Sequence, residues 1–175
     1  MQYFQDIQNL TVYDGAGDVL GILEGLNIIL PDARVYLRIR GEQCKKFRGR
    51  ITEFIPLAEV DLISDSVNLF KDVDSLRHVI EDIHMEYQDS HMVADVIGMT
   101  VRTNDRQALG IVETIFLSRK GKEAFILVKG GKVSDLNGKE SEKIPLIDVQ
   151  DITDEVFLNL DYDSLKERIE EGYNI

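Results

Sequence analysis

Three histidines, His78, His84 and His91, fall close together near the middle of the chain, and Asp82 stands four residues after His78. At helical spacing His78 and Asp82 share a face, which is how a pair of side chains begins to hold a divalent cation. No further ligand set is evident in the sequence, so a solvated helix face is expected and no metal. The lone cysteine, Cys44, is followed by Lys45 and Lys46, whose charges would favour a thiolate. No histidine is close to it in sequence, however, and a surface-loop thiol is expected rather than a nucleophile. One cysteine also excludes an internal disulfide and a thiolate metal site. Gly15, Gly17 and Gly21 suggest a phosphate-cradling loop, but their spacing is wrong for a dinucleotide fingerprint and a strand pattern follows, not a helix. A hairpin turn whose glycines take positive φ explains them better. Asp72, Asp74, Asp161 and Asp163 could supply paired carboxylates, yet they sit where a strand gives way to a helix and capping uses such residues. Nothing assembles a nucleophile, a base and an oxyanion donor. The expectation is a protein that performs no catalysis and carries no cofactor.

The chemistry that stands out is charge. Arg34, Arg38, Arg40, Lys45, Lys46, Arg48 and Arg50 occupy one short stretch against the single Glu42, in a chain of 175 residues with formal net charge -12. Val35, Leu37 and Ile39 alternate with Arg34, Tyr36, Arg38 and Arg40, so a strand here would turn its cations and Tyr36 to one outward face. Arg34, Tyr36, Arg38, Arg40, Lys45, Lys46, Arg48 and Arg50 are therefore the candidate partner-binding residues. Three readings stand: a solvated strand balancing its own acidic molecule, a surface for an acidic protein, or a surface for RNA. The overall negative charge opposes the last everywhere else on the molecule.

The elements that position these residues come in two copies. A shift of about 89 positions lays Leu20-Gly21-Ile22 on Leu109-Gly110-Ile111, Ile55-Pro56-Leu57 on Ile144-Pro145-Leu146, and Asp74-Ser75-Leu76 on Asp163-Ser164-Leu165. Roughly 23 of about 74 paired positions are identical, so repeats over 1–89 and 90–175 are expected. Each repeat shows about six short strand patterns, enough for a small closed barrel with its edges hidden. Each then ends in an amphipathic helix, with Leu76, Val79, Ile80, Ile83 and Tyr87 on one face in the first and Leu165, Ile169 and Tyr173 in the second. Asp74 or Ser75 is available as N-cap. The connector is short, so the barrels are expected to touch. In the second repeat Phe125 and Leu127 replace Tyr36 and Arg38, which leaves that strand apolar on both faces. Its outer face needs a cover: the first barrel, the connector helix or a second chain, unless a bulge turns both residues inward. Phe125 and Leu127 with the helix faces make a homodimer the expectation.

A Gly/Asp-rich turn, then Leu-Gly-Ile and Glu24 or Glu113, a variable hairpin, and Ile-Pro-Leu ahead of two short strands resembles the PRC-barrel family, best from Val96-Ile97-Gly98-Met99 to Val156-Phe157-Leu158. The first copy departs with Asn9 in place of Gly98 and with its basic hairpin. The resemblance implies a mainly β protein of two tandem barrels that bind proteins. Among the family's archaeal members it implies a scaffold in FtsZ- and SepF-linked cell division; its RimM-type members imply the alternative, an RNA-binding or ribosome-assembly factor. No apolar run approaches the roughly 20 residues of a membrane helix and the N-terminus lacks a signal-peptide pattern, so a cytoplasmic location without membrane insertion is expected.

Overall fold

The computed structural model describes residues 2–30, 32–85, 88–118 and 123–172. In the first half, β1 (Gln2–Tyr3) and α1 (Phe4–Ile7) precede β2 (Thr11–Tyr13), β3 (Val19–Ile29) and β4 (Arg34–Arg40). The short α2 (Lys45–Arg48) leads into β5 (Thr52–Pro56), β6 (Val60–Ile63), β7 (Val67–Leu69) and α3 (Val73–Glu81). The second half repeats the order with β8 (Ser90–Met92), α4 (Val93–Val96), β9 (Thr100–Arg102), β10 (Ala108–Leu117) and β11 (Ala124–Lys129). It continues through α5 (Gly131–Asn137), β12 (Ser141–Pro145), β13 (Val149–Ile152), β14 (Val156–Leu158) and α6 (Tyr162–Glu171).

The strands curl into two barrel-like sheets of the same topology, β5-β4-β3-β2-β7-β6 and β12-β11-β10-β9-β14-β13. The protein is mainly β, with two such units in tandem, each followed by a short helix. Among the described residues no ladder joins β5 to β6 or β12 to β13, so each barrel stays open at one seam, where full closure was expected. The reason is local. Pro56 and Pro145 end their strands, and one-turn helices, Leu57–Glu59 and Leu146–Asp148, swing the chain across the gap instead of pairing it.

The alternation read from the sequence decides which side chains face inward. Leu20 and Leu109, Ile55 and Ile144, Val67 and Val156, and Leu76 and Leu165 are all buried at matching positions. Gly21 and Gly110 hold a tighter constraint, because a Cβ there would overlap the carbonyl oxygen of Arg40 or Lys129 on the neighbouring strand. Of the turn glycines only Gly17 takes positive φ. Gly15 is needed for a different reason: a Cβ would collide with the Phe70 backbone, and its N–H donates to Lys71 O at 2.7 Å. The turn's donors are thus used internally, which leaves no phosphate cradle.

Tyr87 and Tyr173, placed on helix faces by the sequence pattern, lie outside the described residues. Helix α3 ends at Glu81. Its N-cap is Asp72, whose side chain accepts from Ser75 N at 2.8 Å, and Asp161 does the same for Ser164 N at 2.8 Å. Asp74 and Ser75, expected as caps, fall within the first turn.

The barrels do more than touch. β1 pairs with β10 of the second sheet, Gln2 opposite Leu117 and Tyr3 opposite Phe116. Reciprocally, β8 pairs with β3 of the first sheet, His91 opposite Ile28 and Met92 opposite Asn27. These are the same ladder positions under the repeat shift, so the two halves trade their first strands about a pseudo-twofold axis. One continuous cluster of buried apolar side chains runs through both, from Phe4 and Leu23 to Leu117 and Leu165.

Candidate functional site

Strand β4 turns Val35, Leu37 and Ile39 into the core and Arg34, Tyr36, Arg38 and Arg40 away from it. The outward residues do not form the open patch the alternation implied. Tyr36 is only 8% exposed, because Ile83 from the segment after α3 packs over it with Ile29, flanked by Val79, Met85 and Phe54. Arg38 lies across Gly25, donates to Asn27 Oδ1 at 3.1 Å and pairs with Glu24 at 3.6 Å. Arg34 pairs loosely with Asp32 at 3.7 Å and donates to the Tyr36 hydroxyl at 3.3 Å.

Lys45, Lys46 and Arg48 sit on the short helix α2, where the sequence suggested a hairpin. Lys45 is paired with Glu42 across one turn at 2.9 Å. Arg48 grips the buried carboxylate of Glu53 through both oxygens, at 3.2 and 2.7 Å, and also donates to the carbonyl oxygen of Ile83. Arg48 is thus a structural residue. Lys46 borders a wide cleft shared with Arg77, Asp14, Asp18, Asp72 and Asp74, where carboxylates surround it. Arg40 and Arg50 are exposed and carry no ion pair among the described residues.

What lies beside Arg40 is apolar. Ile22 stands directly opposite it on β3 and Thr52 on β5, so the three share the outer face. Val19, Ile22 and Ile51 are 52%, 42% and 36% exposed, and with Thr11, Gly41 and Gln43 they line a shallow trough of about 550 Å³ at the rim of the first barrel. Of the candidate residues, Arg40 thus lies next to exposed Val19, Ile22 and Ile51, to which the sequence reading gave no binding role. Ile22 alternates with the inward Leu23, and an irregularity in the β2–β3 ladder between Val19 and Gly21 breaks its phase with the inward Leu20.

Cys44 is fully buried, not in a surface loop. Burial, helped by the negative charge of Glu53, pushes its thiol from 9.0 up to about 11, with a hydrogen bond from the Gly41 backbone opposing. It is inert, and Val133, its counterpart in the second barrel, is equally buried. The histidines do not assemble either. Among the described residues no three His, Cys, Asp or Glu side chains gather in a way that could hold a metal ion. No helix among them is long and apolar enough to cross a membrane.

Phe125 and Leu127 do face outward on β11, and no bulge turns them in. Phe125 is nonetheless only 3% exposed, since it stacks on Phe116 with ring centroids 5.3 Å apart. Phe116 in turn meets the edge of Tyr3 from the exchanged β1 strand at 5.6 Å, and Lys143 Nζ lies 5.1 Å from its ring centre. Leu127 is half-buried. Leu76, Ile80, Ile83 and Leu165 are buried within the chain as well. The apolar surface that argued for a homodimer is thus covered from inside, which removes the basis of that expectation.

No protein-family model matches the sequence, and no curated protein does. Among solved structures the chain is similar to a 16S ribosomal RNA processing protein, RimM, from Pseudomonas aeruginosa. The identity is 15%, the TM-score is 0.36, and the match covers 89% of this chain and 96% of that one.

Proposed function

We propose that the chain is a non-enzymatic adaptor whose first barrel docks an acidic, partly apolar segment of a partner protein. The observation that carries this reading is the trough itself, where exposed Val19, Ile22 and Ile51 lie with Arg40, Arg50 precedes Ile51 in the chain, and the lining carboxylate, Glu42, is already paired with Lys45. An apolar patch supplies affinity and unpaired cations select an acidic occupant, while the surrounding charge of -12 discourages other anionic contacts. The PRC-barrel resemblance directs the search for that partner to FtsZ- and SepF-type division proteins. A second reading, an RNA-facing or ribosome-assembly surface, is favoured by the candidate cations that hold no ion pair among the described residues, Arg40, Lys46 and Arg50.

Two measurements separate these readings. Purified FtsZ and SepF from the source organism are titrated against the wild-type chain and against the Arg40→Glu, Arg50→Glu variant. Binding that weakens at least about tenfold in the variant supports docking at this rim. Binding to a short RNA that falls steeply with salt, with neither protein captured, sinks the adaptor reading in favour of the second.

A further inference from the structure

Compared across the repeat, the candidate cations of the first barrel fall into two groups apart from Lys46, which holds no ion pair among the described residues and has the acidic Asp135 as its counterpart. Arg34, Arg38, Lys45 and Arg48 all hold ion pairs, and their counterparts in the second barrel are Glu123, Leu127, Ser134 and Asn137, none of them basic. Arg40 and Arg50 hold none, and their counterparts are Lys129 and Lys139, both basic, exposed and likewise without an ion pair among the described residues. The residue opposite Arg40 is Ile22; the residue opposite Lys129 is Ile111, 48% exposed. The rows match on either side too, Thr11-Ile22-Arg40-Thr52 in the first barrel and Thr100-Ile111-Lys129-Ser141 in the second. One exposed isoleucine alone means little. The same isoleucine between a threonine and an unpaired cation, kept while every paired cation around it has changed, is a second copy of one surface.

We propose that the chain is bivalent: each barrel presents this apolar and cationic row, so one chain takes two copies of the same acidic, partly apolar peptide segment. This rests on the adaptor reading above and adds the number and placement of its sites. The reciprocal exchange of β1 and β8 relates the barrels by a pseudo-twofold axis, so the rows at Ile22 and Ile111 are related by it as well. A partner that is itself a twofold dimer, or that repeats the segment along a polymer, is the occupant this arrangement fits, because the second contact then forms at high effective concentration. The sites differ in strength. The first has Val19 and Ile51 at its rim, where the second has Ala108 and Glu140, a smaller apolar surface with an added like charge.

The test uses the full chain and a fluorescein-labelled synthetic peptide in which Glu and Asp alternate with Ile and Phe. The expected result is two peptides per chain, the second binding about tenfold more weakly. Ile22→Glu with Arg40→Glu abolishes the tight event only, and Ile111→Glu with Lys129→Glu the weak event only. All four positions are exposed or lie at strand ends, and thermal melts confirm that each variant folds. The wild-type chain provides a second readout, since backbone amide shifts at both Thr11–Ile22 and Thr100–Ile111 should move on titration. One peptide per chain, lost with Ile22→Glu and untouched by Ile111→Glu, overturns bivalency while leaving the adaptor reading intact. Binding unaffected by either pair, or absent, overturns both.

Discussion

Arg48 and Glu53 show how a basic residue that looks available in the sequence can be committed to the fold. Glu53 faces the core opposite Ile39, and Arg48 reaches it from α2 with both side chains almost withdrawn from water. Removing one partner strands the other. Arg48→Ala should cost about 3 to 5 kcal/mol in urea unfolding, and adding Glu53→Leu should recover most of that loss. The second barrel meets the same geometry with Asn137, which donates to Glu142, so the pair is one of two chemistries that fit the position. Cys44 makes a separate prediction. Its folded thiol titrates near 11 against 9.0 for an ordinary one, so below pH 9 its contribution to stability is fully present. As pH rises from 9 towards 11 the unfolded chain ionises first and that contribution is lost. Cys44→Val, the residue type at position 133, should flatten this alkaline loss in pH-dependent melts, and the wild-type thiol should resist labelling reagents until the chain unfolds.

At the scale of elements, the hairpin turn and the helix after the last strand, α3 or α6, are locked together in both barrels by carboxylates placed differently. In the first, buried Asp14 accepts from Ala16 N and Asp18 N within the turn and from Val73 N at the helix start, at 3.0, 2.8 and 3.1 Å. In the second, Thr103 occupies that position and Asp105 reaches Tyr162 N at 3.1 Å. The hydrogen bond from Thr103 holds the Asp105 carboxyl below its usual range, and the Ser75 backbone N–H does the same for Asp72. A depressed carboxylate stabilises above its unfolded pKa and loses that effect as pH falls through the folded one. Helical signal should therefore drop below about pH 4 ahead of global unfolding, and Asp72→Asn should weaken that drop in circular dichroism. The strand crossings are less forgiving. Gly21→Ala or Gly110→Ala drives a methyl into the adjacent backbone and should cost at least about 1 to 3 kcal/mol, whereas Gly131→Ala, with open space around it, should be neutral.

For the whole molecule, exchange of first strands makes the two barrels interdependent. Thr114 in the second half donates to Gln5 in the first, Asn27 in the first donates to Ser90 in the second, and a single apolar cluster crosses between them. The chain should unfold in one cooperative step. Leu165→Ala should lower hydrogen-exchange protection in β3 and β4 as well as in β10 and β11; loss confined to the second barrel would mean the exchanged strands do not couple them. The same packing consumes the outer face of β11, so Leu127→Asp should leave the sedimenting mass unchanged.

Periodicity within short windows, and its recurrence 89 residues later, was enough to identify the repeats, the strands, the inward Leu20, Ile55 and Leu76, and the helices after β7 and β14. Those are local properties: alternation at period two and spacing at three and four report which side of an element is apolar. They do not report what lies over the other side. Tyr36 among arginines reads as exposed, and Phe125 reads as needing a partner, until β1 and the Ile83 segment are seen to cross the sequence and cover them. Which arginines stay free was equally out of reach, because Glu24 and Glu53 take up theirs through β3 and β5, and pairing between strands is set by the tertiary fold. Only with those contacts in place do Arg40 and Lys129, each beside an exposed isoleucine, separate from the rest.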